Sequence, residues 1–176
     1  MSRDLIYRVI FVEDTYGREF HRVIIDKLVE HRVIEFSTRP SIQRMPAKKC
    51  NHSLTRKVKA RLFSISLWRC LFVIDSEGRR KSIAERDVLD HFRDVKNNIR
   101  VVVISPRHEK LLCLGLGGNV SSCKNSPEDT IVRLLQRRGL RVKAYEKDFL
   151  RRYARYINID HLINDPDFKE YIRALR

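Results

Sequence analysis

Three short apolar runs, IYRVIFV at 6–12, LWRCLFVI at 67–74 and IRVVVI at 99–104, limit the architecture more than any other feature of this chain. Each is rich in β-branched or aromatic residues and bounded by polar or turn residues, the pattern of a buried strand. The last is apolar almost throughout, as a strand covered on both faces must be. A fourth, briefer run, VIEF at 33–36, reads as another strand.

Helical patterns alternate with these runs. From 18 to 31, Phe20, Val23, Ile24 and Leu28 recur at spacings of three and four, with Ile25 beside them, so one face of a helix turns inward. Ser82 and Glu85 have capping-box spacing and open a helix to about Arg93. A helix follows Pro106, LGLGG at 114–118 reads as its glycine stop, and Ser126-Pro127-Glu128-Asp129 carries cap, proline and acidic first turn in helix-start order. Strands alternating with helices imply βαβ crossovers. The expected fold is α/β, a Rossmann-like, mainly parallel four-stranded sheet flanked by helices. Residues 1–143 form that domain, with a basic insertion at about 37–66, and residues 144–176 form a C-terminal helical extension packed on it.

With 176 residues, 43% of them hydrophobic, the chain suffices for one domain with a substantial core. No run approaches the ~18 apolar residues of a membrane span and no cleavable signal pattern opens the chain, so no membrane partner and a cytoplasmic location are expected. The four cysteines, Cys50, Cys70, Cys113 and Cys123, lack CxxC spacing; free thiols are expected, and Cys50 with His52 makes a poor zinc ligand set.

A formal charge of +15 attracts polyanions at long range, and nucleic acid is the natural partner. Between Glu35 and Asp75 there is no acid, while Arg39, Arg44, Lys48, Lys49, Arg56, Lys57, Lys59 and Arg61 fall there; with Arg79 and Arg80 they are the candidate nucleic-acid contacts. A second basic group, Arg133 to Arg155, includes Tyr153 and Tyr156, whose spacing with Phe149 favours core packing over base stacking. DNA and RNA are not separated by these signals, nor is an oligomeric state set.

Against this excess of cations, acids stand at the ends of the predicted strands: Glu13 and Asp14 after the first, Asp75 and Glu77 after the third. In a parallel sheet, function gathers outside the carboxyl ends of the strands. The i, i+2 spacing lets Asp75 and Glu77 point the same way, with Glu13 across from them as a ligand or general base. Hard oxygen donors suit Mg2+ or Mn2+ bridging to phosphate. His108 and Glu109, just past the last strand, lie on the same rim, and Glu109 completes the candidate metal set. The same acids would also serve as turn and cap formers without chemistry.

VIFVED with Glu13 and LFVIDSEG with Asp75 and Glu77 resemble the TOPRIM domain of topoisomerases, primases and nucleases, and the layout through VVVISPRHEKLLCLGLG is similar to small stand-alone TOPRIM-like proteins of prokaryotes. The resemblance implies Mg2+-dependent phosphodiester hydrolysis, with Glu13, Asp75 and Glu77 as catalytic and metal-binding residues. Asp14 stands where the family has glycine and Glu77 where it has aspartate, which leaves open a non-catalytic nucleic-acid or partner-binding module on the same fold. VIFVEDTYGREF also resembles the opening of a response-regulator receiver, with Asp75 as phospho-acceptor. The longer spacing from Glu13 to Asp75 and the lack of a matching lysine argue against that reading.

Overall fold

The computed structural model describes residues 7–13, 15–45, 52–64 and 68–176. Four strands, β1 (Tyr7–Val12), β2 (Ser41–Arg44), β3 (Trp68–Asp75) and β4 (Ile99–Ile104), form one sheet in the order β2-β1-β3-β4, and every pair is parallel. Between them run α1 (Thr15–Glu30), α2 (His52–Ser64) and α3 (Lys81–Leu89), the last continued by tight turns over Asp90–Asn98. Beyond β4 come α4 (Glu109–Gly115), α5 (Val120–Asn125), α6 (Pro127–Arg137), α7 (Phe149–Tyr153) and α8 (Pro166–Leu175). The protein is therefore α/β, with an all-parallel four-stranded sheet flanked by helices and a helical C-terminal end.

The period-2 alternation of the strands divides the core into two layers. Ile10, Val12, Leu71, Val73, Val102 and Ile104 face one way, onto Phe20, Ile24 and Leu28 of α1 and onto α4, α6, α7 and α8. Val9, Phe11, Phe72, Ile74 and Val103 face the other way, onto Val58 and Leu62 of α2, Ala84 and Val88 of α3, and Phe92. Burying each large apolar side chain contributes roughly 1.5–3 kcal/mol, so the thicker first layer is the main source of stability. Tyr153 belongs to it, in edge contact with Phe149 at 4.9 Å between ring centroids, as the helical spacing implies; Tyr156 is half-exposed beneath Arg155.

Three expectations are corrected. The run at 33–36 is not a strand: α1 ends at Glu30, Arg32 adopts a left-handed backbone, and Ile34 inserts into the core from a loop. The second strand is Ser41–Arg44, at the sheet edge and mostly exposed, so no apolar run marks it. Within the basic region at 37–66, Ser41–Arg44 is β2 and His52–Ser64 is α2. Ser82 does not cap α3, which starts at Lys81 after an extended Arg80 without a side-chain cap.

The cysteines differ as well. Cys70 is free and buried, but Cys113 and Cys123 form a disulfide joining α4 to α5. Gly117, with φ of 92°, closes α4 by donating to Leu114 O, and Gly118 donates to Cys113 O. The chain then doubles back over a Gly118 whose missing Cβ leaves room for both sulfurs, a proximity that sequence spacing does not reveal. Cys50 lies outside the described residues. Among those described, no helix is long and apolar enough to cross a membrane.

Candidate functional site

Parallel pairing of β1, β3 and β4 brings their carboxyl ends to one rim, with Val12 beside Val73 and Asp75 beside Ile104. Glu13 and Asp75 meet there: the Asp75 N–H donates to Glu13 Oε2 at 3.2 Å. From the far side of β4, His108 reaches Asp75 twice. Its N–H donates to Asp75 Oδ1 at 2.9 Å, and its Nδ1 contacts the same oxygen. Glu109, next in the chain and half-buried, accepts from the Tyr145 hydroxyl at 3.0 Å.

Behind His108 the contacts continue inward. His108 Nε2 lies 2.8 Å from His21 Nε2, and His21 Nδ1 lies 3.0 Å from the Tyr171 hydroxyl. Both His21 and Tyr171 are fully buried, one on α1 and the other on α8, so the chain Asp75–His108–His21–Tyr171 crosses the main core layer.

Charges on the rim decide where the protons sit. Burial lowers the basicity of His108, but the charge and hydrogen bond of Asp75, followed by Glu13 and Glu109, outweigh it and raise its pKa to about 9. Burial, reinforced by the His108 charge, holds His21 well below the ordinary histidine value. At neutral pH His108 is thus an imidazolium donating from both nitrogens and His21 is neutral. His21 Nε2 must accept from His108, so His21 Nδ1 carries the proton and donates to Tyr171. Glu109 is pushed above the usual carboxylate range, first by burial and then by Asp75.

A second polar network fixes the frame. Lys110, buried at the start of α4, donates to Asp165 at 2.9 Å and to Asp167 at 2.5 Å, both at the start of α8. Asp167 also accepts from the Ser105 N–H at 2.8 Å and pairs with Lys81. Burial would raise the Asp167 pKa, but the bonds from Lys110, Lys81 and Ser105 lower it on balance. This network docks α8 against the loop after β4, which holds Tyr171 under His21.

The predicted acids do not all gather. Glu13, Asp75 and Glu109 are the carboxylates that act on His108. Glu77 is exposed, in a left-handed turn that breaks the alternation expected from i, i+2 spacing. It lines a separate groove of about 580 Å³ with Arg107, Lys124 and Glu128. One Asp75 oxygen, Oδ1, is engaged by both the N–H and the ring of His108. Among the described residues, no group of three or more His, Cys, Asp or Glu side chains is arranged to hold a metal ion. Asp14 lies outside the described residues.

The basic candidates divide likewise. Arg39 pairs with Asp26 and Lys59 with Asp94 at 2.7 Å, so acids outside the one-signed segment neutralise part of it, and Arg79, beyond that segment, pairs with Asp87 at 2.6 Å. Arg44, Arg56, Lys57, Arg61 and Arg80 are exposed. Lys57 and Arg61, four apart on α2, share one helix face and join Arg39 around a groove of about 870 Å³ floored by Val9, Phe11 and Val58. Lys48 and Lys49 lie outside the described residues.

His21 and Tyr171 escaped the sequence reading. The available signal was positional: His21 sits beside Phe20 and within a turn of Ile24 and Ile25, on the apolar face of α1, where a histidine needs a partner. Fold and site together define an α/β protein with an acid-and-histidine rim at the carboxyl edge of its sheet. No family model, no curated protein and no solved structure matches the chain.

Proposed function

We propose that the protein binds nucleic acid through the β2–α2 face. The groove between these elements carries the reading. Three cations, Arg39, Lys57 and Arg61, surround it, and the chain as a whole has a charge of +15. Such a surface holds a phosphate backbone by charge and counterion release without reading sequence. The rim then serves the fold, with His108 and Asp75 satisfying one another.

Cleavage of the bound strand, with Mg2+ or Mn2+, is the second reading, favoured by the meeting of Glu13, Asp75 and Glu109 beside His108. Fluorescence anisotropy with single- and double-stranded DNA and RNA across a potassium chloride series tests the first. Binding should weaken steeply with salt, and Lys57→Gln with Arg61→Gln should reduce the log–log slope by about 2. Absence of binding to all four at low salt would refute it. The same labelled strands incubated with each metal or EDTA test the second: cleavage that vanishes in Asp75→Asn supports it, and intact strands in every metal end it.

A further inference from the structure

At the opposite end of the sheet the strands carry arginine where the rim carries acids. Arg8 of β1 lies in register with Arg69 of β3, and by alternation both share the face of Ile10 and Leu71. Arg100 of β4 shares that face with Val102. Each arginine therefore continues an apolar stripe one step beyond the main core layer. The last turn of α8 comes to the same place with Arg173, and Arg176 follows it. The five guanidinium-bearing side chains wall a pocket of about 150 Å³, floored by Ile10, Cys70 and Leu71, and no Asp or Glu side chain among the described residues lines it.

Like charges on neighbouring strands repel unless something offsets them. Some cations elsewhere in this molecule are paired with carboxylates, as at Arg39, Lys59, Arg79 and Lys110. Here the partners are backbone oxygens: Arg8 Nη2 donates to Arg176 O at 3.1 Å, Arg176 Nη2 to Val33 O at 3.0 Å, and Arg100 Nη1 to Ile99 O at 3.2 Å. Arg8 Nε is shut off from solvent and meets no acceptor among the described residues. Burial, followed by the charge of Arg69, makes the protonated state of Arg8 less favourable than in water. A cluster of planar guanidinium forks with no carboxylate side chain among the described residues is the arrangement a tetrahedral oxyanion satisfies.

We infer that this pocket is a binding site for a phosphate group, held by Arg8, Arg69, Arg100, Arg173 and Arg176. Its volume is small beside the several hundred Å³ of a drug-sized site. It takes a compact anion such as phosphate or pyrophosphate, or a single phosphate of a larger molecule. The site lies at the amino end of the strands, apart from the acid rim, and does not depend on what that rim does.

Thermal unfolding and calorimetric titration of the whole protein with inorganic phosphate, pyrophosphate and chloride at matched ionic strength test the inference. Saturable stabilisation by pyrophosphate beyond that by chloride is expected, with affinity falling at least tenfold in Arg69→Gln and in Arg173→Gln. Both positions are solvent-exposed, and circular dichroism of each variant checks that it folds. Lys124→Gln, at the other end of the molecule, should bind as the parent does. A short oligonucleotide added to the pyrophosphate complex identifies the natural source: displacement points to nucleic-acid phosphates, and persistence points to a free anion; either supports the pocket. Pyrophosphate acting no more strongly than chloride, or equally on the parent and on Arg69→Gln with Arg173→Gln combined, would overturn it.

Discussion

The two ends of the one parallel sheet handle charge in opposite ways. At the carboxyl end, Glu13, Asp75 and Glu109 surround the His108 cation, and Asp75 bonds it directly. At the amino end, Arg8, Arg69 and Arg100 stand on adjoining strands with no acid side chain among the described residues lining the pocket between them. The same alternation produces both, since a residue just past either end of an apolar stripe inherits its direction and loses its cover. The difference lies in compensation: the first end is a closed polar network and the second is an open one. A closed network fails when a member is removed, whereas an open one is relieved.

The largest expected effect follows from breaking the closed end. Asp75→Ala leaves the His108 cation buried without its principal partner and should cost about 3–5 kcal/mol in chemical denaturation, with a corresponding fall in Tm. A loss below about 1 kcal/mol would mean that the rim is not closed.

Next in size is the pH dependence. His108 has a folded pKa of about 9 against an unfolded value near 6.5, so its contribution is fully present below about 6.5 and is lost as pH rises through about 9. The difference corresponds to about 3 kcal/mol. His21 acts in the other direction: its pKa is depressed in the fold, so stability falls as pH drops below about 6.5, where the unfolded chain takes up a proton that the folded chain refuses. Urea midpoints measured from pH 5 to pH 10 should pass through a maximum near 6.5, and His108→Gln should flatten the alkaline limb.

Tyr171→Phe sharpens the contrast by deleting the end of the relay. His21 Nδ1–H is then buried without an acceptor, at a cost of about 1–3 kcal/mol. A hydrogen-exchange comparison should place the lost protection in α1 and α8. At the open end, Arg100→Gln should change stability by less than about 0.5 kcal/mol in phosphate-free buffer, or raise it, because repulsion is removed and no partner is orphaned.

The strongly buried elements were legible in the sequence because their periodicity is direct. β1, β3 and β4 fall on the three apolar runs, and α1 falls on its amphipathic stripe. β2 was not, because an edge strand with one half-buried residue writes no pattern, whereas the loop residues Val33 and Ile34 do. Spacing placed Glu13, Asp75, His108 and Glu109 on one rim because parallel topology alone determines that. The left-handed backbone of Glu77 is not written in that spacing. Spacing also missed His21 and Tyr171, which are joined through space across 150 positions of sequence. Pairing of Arg39 with Asp26 and of Lys59 with Asp94 was hidden for the same reason, so the one-signed segment looked more cationic than its folded surface is.

The central claim, that the carboxylates of the rim hold His108 as a cation while His21 behind it stays neutral, is tested most directly by NMR titration of the imidazole nitrogens in metal-free protein. The account requires His108 to titrate near 9 with both nitrogens protonated at neutral pH, and His21 to keep a single proton on Nδ1 throughout that range. A His108 that titrates at or below about 6.5, or a His21 protonated at neutral pH, would contradict it.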